Sequence, residues 1–230
     1  MLEESGIENQ MDDKGFAVFE GVLTSCECVS LAQAVVDGSV RRRAGVRNLM
    51  SHPNVASIAH DQRLLRLAEN ALRGPAVPFR ATLFDKSPVS NWHVLWHQDR
   101  ALPLSKWFDS PEWGPWSEKS GVRYALAPAW ALERVVALRV HLDTSDNSNG
   151  PLRLIPGSHT RGVLSESDIR KAINGVPAET CLVGRGGVLA MRPLVLHSSI
   201  KASGDDQRRV IHFEYANGLK LGNEARLCVA

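Results

Sequence analysis

"NWHVLWHQDR", residues 91–100, packs two histidines, two tryptophans and an aspartate into ten positions. In an extended strand, residues two apart point the same way. His97 and Asp99 then project together, with Trp92, Trp96 and Gln98 on the opposite face. His93 shares the parity of His97 and reads as an ordinary strand residue. The stretch is either an aromatic core strand with polar edges or one wall of a metal site.

Outward from it, the texture is that of a β protein. "VPFRATLF", "ERVVALRVHLD", "PLRLIPG", "ETCLVG", "GVLAMRPLVLHS" and "RRVIHFEYA" are short strand-like runs separated by turn residues. Many such strands predict a sandwich or barrel. "SESDIRKAIN" is a helical interruption with Ser165 and Asp168 as a capping-box variant. Residues 1–75 read as mainly helical. "GFAVFEGVL" is a short strand there, Thr24 or Ser25 caps a helix running to Asp37, and a helical pattern over residues 54–74 ends at Gly74-Pro75. The "SKWFDSPEWGP" and "WSEKSGVRYALAPAW" stretches read as one long irregular region, either a lid or aromatic packing on the surface. The fold class is therefore mainly β with flanking helices (α+β). One domain over residues 1–230 is expected, with its β core at 76–216 and a tail at 217–230.

Composition narrows the function. Hydrophobic residues make up 43% and charged residues 23%, ordinary for a soluble globular chain. A net charge of +2 argues against a nucleic-acid or membrane-surface partner. No apolar run is long enough to span a bilayer. The acidic, polar start "MLEESGIENQ" is no secretory or mitochondrial leader, so the cytoplasm is the expected compartment. Cys26, Cys28, Cys181 and Cys228 lack metal-site spacing and read as reduced thiols. A monomer or homodimer is expected.

A metal site needs a third ligand, and His197, closing the late apolar strand in "RPLVLHSSIKAS", is the best candidate. Two imidazoles and one carboxylate on one side of a metal form the facial triad of non-haem iron(II) oxygenases, which leaves three positions open. Eleven residues later comes Arg208, opening "RRVIHFEYA". An iron(II) centre that uses 2-oxoglutarate needs such a cation for the far carboxylate, and arginine binds carboxylate in a bidentate fork. Arg209 competes for that role. Arg208 shares parity with His212 and Glu214, and Arg209 with Ile211, Phe213 and Tyr215. Spacing favours Arg208, and parity alone does not decide.

Three blocks, "LFDKSPVSNWHVLWHQD", "SNGPLRLIPGSHTRG" and "LHSSIKASGDDQRR", resemble the signature blocks of the phytanoyl-CoA dioxygenase family. The order H-x-D, N-G-x-L-x-x-x-P-G-S-H, H, R is the specific part, and the resemblance spans roughly residues 75–216. It implies a double-stranded β-helix (jelly roll, cupin-like) and an oxygenase using Fe(II), 2-oxoglutarate and O2 on a small-molecule substrate. By position it implies His97, Asp99 and His197 as iron ligands, Arg208 and Ser199 as holders of the 2-oxoglutarate tail, and Thr82 as part of the cosubstrate pocket. Related halogenases carry a small residue at the position of Asp99, so its carboxylate favours hydroxylation; desaturation and epoxidation are alternatives. A non-catalytic, cupin-like small-molecule binder is the rival from another class, and the complete His, Asp, His, Arg set argues against it.

The remaining candidates concern the substrate. Arg139 stands where the parent enzyme of the family has an aromatic residue near the cosubstrate. By alternation Arg139, His141 and Asp143 share one face, and a buried charge needs a partner. Arg139 with His141 then grips an anionic substrate group, such as a carboxylate, or pairs with a carboxylate at the barrel wall. The basic loop of residues 41–50 is either simply solvated or folds Arg47 and Asn48 over the entrance. Lys86 fixes the "DKSP" turn, and His159 belongs to a structural block of turns.

Overall fold

The computed structural model describes residues 10–37, 45–88 and 90–230. Its frame is two facing antiparallel sheets. In the larger sheet, β1 (Phe16–Phe19), β11 (Val188–Met191), β8 (Val135–His141), β13 (Arg208–Ala216), β3 (Val77–Lys86) and β2 (Gly45–Val46) lie side by side in that order. The smaller sheet runs β10 (Glu179–Cys181), β9 (Leu152–Leu154), β12 (His197–Ser199), β4 (Val94–His97). From β3 onward the core strands pass back and forth between the sheets, except at the β9–β10 pair within the smaller one, and the sheets are not closed into a barrel.

Alternation along β8 explains the layering. Val136, Leu138 and Val140 point outward with Ile211, Phe213 and Tyr215 of β13 and Ala81 and Leu83 of β3. Onto this apolar face pack the helices α1 (Ser25–Asp37), α2 (Pro53–Ala59) and α3 (Gln62–Leu72), through Leu31, Val35, Val55, Leu64 and Ala68. The inner face of the same sheet is polar in its middle. Thr82, Arg139, His141, His212 and Glu214 are all buried there, with Lys86 and Arg208 at one end.

The local signals hold, with corrections in the helical run of residues 54–74 and in the region read as irregular. Thr24, not Ser25, caps α1: its backbone N–H donates to Glu27 Oε2 at 2.7 Å, while its Oγ1 accepts from the Glu27 N–H at 3.3 Å. Ser165 caps α5 (Glu166–Gly175) by accepting from the Asp168 N–H. The helical pattern over residues 54–74 is two helices, because Asp61 turns extended and caps α3 through the Arg63 N–H at 2.8 Å. The mainly helical N-terminal part also contributes β1 and β2 to the larger sheet. Of the region read as irregular, residues 105–115 are so, while the rest supplies β6 (Trp116–Lys119) and β7 (Val122–Leu126), which join β5 (Ala101–Leu104) in a third sheet ordered β5-β7-β6, followed by the short helix α4 (Ala129–Leu132). Its Phe108, Trp113 and Trp130 pack together, and residues 217–230 fold back on it, with Leu227 bridged to Leu104. All four cysteines are free. Among the described residues no helix is long and apolar enough to cross a membrane.

Phe213 is fully buried between sheet and helices. Phe213→Ala is expected to cost about 3–5 kcal/mol in urea denaturation; a loss below about 1 kcal/mol would contradict the packing described.

Candidate metal centre

β4 and β12 pair in antiparallel register with His97 opposite His197. The register slips between His197 and Ser199, so that Ser199 faces Val94 rather than Leu95. This bulge gives β4 one extra residue and reverses parity before it. Leu95 is pushed out to 73% exposure, while Trp92 and Val94 turn to the same cavity as His97. Trp92 therefore lines the cavity instead of sharing the far face with Trp96 and Gln98. Those two behave as expected. Trp96 packs beside Ile155 and Leu196, and the Gln98 amide donates to the carbonyls of Gly162 and Leu194. His93 is exposed.

Asp99 lies just past β4, its N–H bonded to the Pro193 carbonyl at 2.9 Å. Its Oδ1 is 3.6 Å from His97 Nε2 and its Oδ2 3.6 Å from His197 Nε2. Ligand atoms of the three side chains all lie within 4.8 Å of one another. Each histidine is aimed by the main chain two residues before it: His97 Nδ1 bonds the Leu95 carbonyl at 2.8 Å, and His197 Nδ1 bonds the Val195 carbonyl at 2.9 Å. A donor at Nδ1 leaves the Nε2 lone pair free for a cation. Burial pushes the Asp99 carboxyl up, but His197, His97 and His212 outweigh it and hold it well below the carboxylate range. Burial brings His197 down to about 4. A neutral imidazole beside a firmly ionised carboxylate is the state a metal ligand needs. Two nitrogens and one carboxylate on one side of the cavity fit iron(II).

The three residues line a cavity together with Phe84, Trp92, Val94, Arg139, Leu152, Ser199 and Arg208. Arg208 is buried, its Nε donates to the Asn149 carbonyl at 3.1 Å, and its Nη1 has no partner. Arg209 is committed elsewhere: Asp143 takes its Nε at 2.7 Å and its Nη2 at 2.8 Å. Parity does separate the two, since Arg208 falls on the inner face. Asp143 is thereby unavailable to Arg139, which bonds His212 instead, Nη1 to Nδ1 at 3.1 Å. Thr82 and His141 share the inner face without lining the cavity; the Thr82 hydroxyl and both His141 ring nitrogens are buried without partners. Burial, then Arg139 and Arg208, hold His141 far below its usual range, so it is neutral.

Arg47 is exposed and lies outside the cavity, and Asn48 beside it ties to the Ser120 carbonyl. The basic run at residues 41–43 lies outside the described residues. His159 packs against Gly15 and Val195, away from the site.

Lys86 has a larger part than turn-fixing. It is 1% exposed, and its Nζ donates to Ser199 Oγ at 2.7 Å and to the Ile200 carbonyl at 2.6 Å. Ser199 in turn donates to the Gly150 carbonyl at 2.9 Å. Its one hydroxyl hydrogen is thus placed, while the ammonium still has a third donor. Gly150 sits at φ +70°, where an added Cβ would come within 2.5 Å of the Ile200 carbonyl. Alternation from Thr82 through Phe84 was the available signal for Lys86.

A phytanoyl-CoA dioxygenase (PhyH) family model matches residues 11–210. No curated protein sequence matches the chain. Among solved structures, AviO1 from Streptomyces viridochromogenes Tue57 is 23% identical, covering 94% of this chain and 96% of that one, with a TM-score of 0.69. EctD from S. alaskensis with 2-oxoglutarate and 5-hydroxyectoine is 18% identical over 91% of this chain and 74% of its own, with a TM-score of 0.68. The non-heme alpha ketoglutarate dependent carbocyclase SnoK from nogalamycin biosynthesis is 15% identical over 95% and 85%, with a TM-score of 0.72. At these identities the likeness is one of fold. The family match covers most of the chain, and its blocks meet at one cavity: the chain belongs to the phytanoyl-CoA dioxygenase family, within the iron(II)- and 2-oxoglutarate-dependent oxygenases.

Proposed function

We propose that this oxygenase hydroxylates an unactivated C–H bond of a small or medium-sized organic substrate. One observation carries the reading. Three ligand atoms converge in a cavity that a buried guanidinium with an unpartnered N–H also lines. His97, Asp99 and His197 would hold iron(II), and Arg208, with Lys86 beside it, would hold the far carboxylate of 2-oxoglutarate. When bound, iron and cosubstrate supply the oxidant: substrate, 2-oxoglutarate and O2 become hydroxylated product, succinate and carbon dioxide. The residues' own contribution is placement. The Nδ1 bonds fix both imidazoles, the inner-face cations orient the dicarboxylate, and Phe84, Trp92, Val94 and Leu152 keep the cavity apolar where it is not charged. Asp99 supports hydroxylation, because it occupies a position that a halide would otherwise need.

Anaerobic protein with iron(II) and 2-oxoglutarate is expected to develop the visible charge-transfer band of the chelate. Oxygen should then release succinate. His97→Ala should remove both signals, by more than the roughly 10–100-fold that loss of a ligand-orienting partner costs. Retention of the band in that variant would refute the ligand set.

A second expectation concerns Lys86. Burial first, then Arg208 and Arg139, push its ammonium down to about 8 from 10.5. For a base lowered in the folded state, the cost of staying protonated is full below pH 8 and fades between pH 8 and 10.5. Stability should therefore rise with pH across that window relative to Lys86→Met. Parallel urea midpoints for the two proteins would contradict it.

A further inference from the structure

We propose that Arg139 grips the head of the α-keto acid, the carboxylate adjoining its keto group, so that this site holds its cosubstrate by an arginine at each end. The inference rests on the oxygenase reading above and moves Arg139 from substrate to cosubstrate.

Charge is the first ground. Arg139 is 6% exposed at the centre of the larger sheet, on the inner face. Among the described residues no carboxylate lies within ion-pair distance of it. Asp143 is bound by Arg209 and Arg185, and Glu214 by Arg80 at 3.1 Å. A buried cation without a counter-charge is costly and calls for an anion. Arg139 borders the cavity into which the three ligand atoms converge, and its Nε is buried without a partner.

Aim is the second. The guanidinium lies over the Phe84 ring, 5.3 Å from its centre, and donates to His212 Nδ1. That bond needs His212 to accept at Nδ1 and carry its proton on Nε2, which lies 3.7 Å from Glu214 Oε1. Arg80 fixes Glu214 in turn. Arg139 is thus held from one side, as a positioned ligand is and a solvated arginine is not.

Order along the cavity is the third. Arg139 pairs across the sheet with His212, four residues from Arg208 on β13, or about 13 Å of strand. Ser199, two residues past His197 on β12, meets Lys86, the cross-strand partner of Arg208, which puts Arg208 at the far end of the run from His197 through Ser199. A dicarboxylate chelating the metal by its keto-acid end and reaching Arg208 with its tail presents its head carboxylate to Arg139.

Anaerobic calorimetry on iron(II)-loaded protein with two probes tests this. 2-Oxoglutarate has both carboxylates; 2-oxovalerate has the same head and no tail carboxylate, and is measured by competition where direct binding is weak. Arg139→Gln should weaken both by a similar factor, roughly ten- to hundredfold. Arg208→Gln should weaken 2-oxoglutarate alone. Arg139→Lys, which keeps the charge and loses the fork, should fall between wild type and Arg139→Gln on both probes; it also serves if Arg139→Gln fails to fold. The proposal falls if Arg139 variants bind both probes like wild type, the result expected of a substrate anchor. It falls equally if they lose affinity for 2-oxoglutarate alone. Failure of the wild type to bind either keto acid would instead remove the oxygenase reading, and this proposal with it.

Discussion

The pairing of β4 with β12 sets His97 against His197, joining segments 100 residues apart in the chain. Neither strand could hold this geometry alone: β4 has four residues and β12 three. What holds them is the sheet on the other side of β12, where Leu152 and Leu154 of β9 pair with Ser199 and His197. Ser158 adds a brace, accepting from the Leu196 N–H at 2.8 Å and donating to the Ile155 carbonyl at 2.7 Å. The N-G-P-L-R-L-I-P-G-S block earns its place as the scaffold for the distal ligand, although it ligates nothing. Pairing over such separation carries a large loop-closure cost, so the site exists only once both sheets have formed.

The larger sheet faces the opposite demand. Its outer face is apolar where the helices cover it, which leaves its inner face free to be polar without losing the core. Lys86, Arg139 and Arg208 are all buried there without carboxylate partners, and burial lowers each below its ordinary value. Such a sheet is less stable than one lined with leucine. The apolar packing on the other side offsets that, and the uncompensated charge gives the cavity a positive potential.

Much of this was legible in the residues. The spacing of His97 and Asp99, the distal His197 and the eleven-residue interval to Arg208 suggested the set, the family resemblance assigned the roles, and the structure brings all four to one cavity. Alternation placed Arg139 and His141 on the inner face. It failed at Trp92, because a bulge adds one residue to β4, and nothing in "WHVLWH" marks a bulge. The third sheet was missed because its strands sit among Pro, Gly and Ser residues that read as turns, and its pairing is fixed by aromatic packing and the returning C-terminal segment. Arg47 looked available on charge, yet its loop is tied to the β6–β7 turn through Asn48. Parity separates Arg208 from Arg209 only once the inner face of β13 is known, and Asp143 claims Arg209.

The Nδ1 bonds of His97 and His197 run to main-chain carbonyls two residues back in the chain. Main-chain acceptors cannot be mutated away. The tilt and tautomer of both imidazoles are therefore insulated from changes in neighbouring side chains. Phe84, Trp92, Val94 and Leu152 can vary in size and polarity without unsettling the ligands. The molecule is in effect modular at the scale of single side chains: a fixed reaction platform, and around it a lining that can drift toward new substrates.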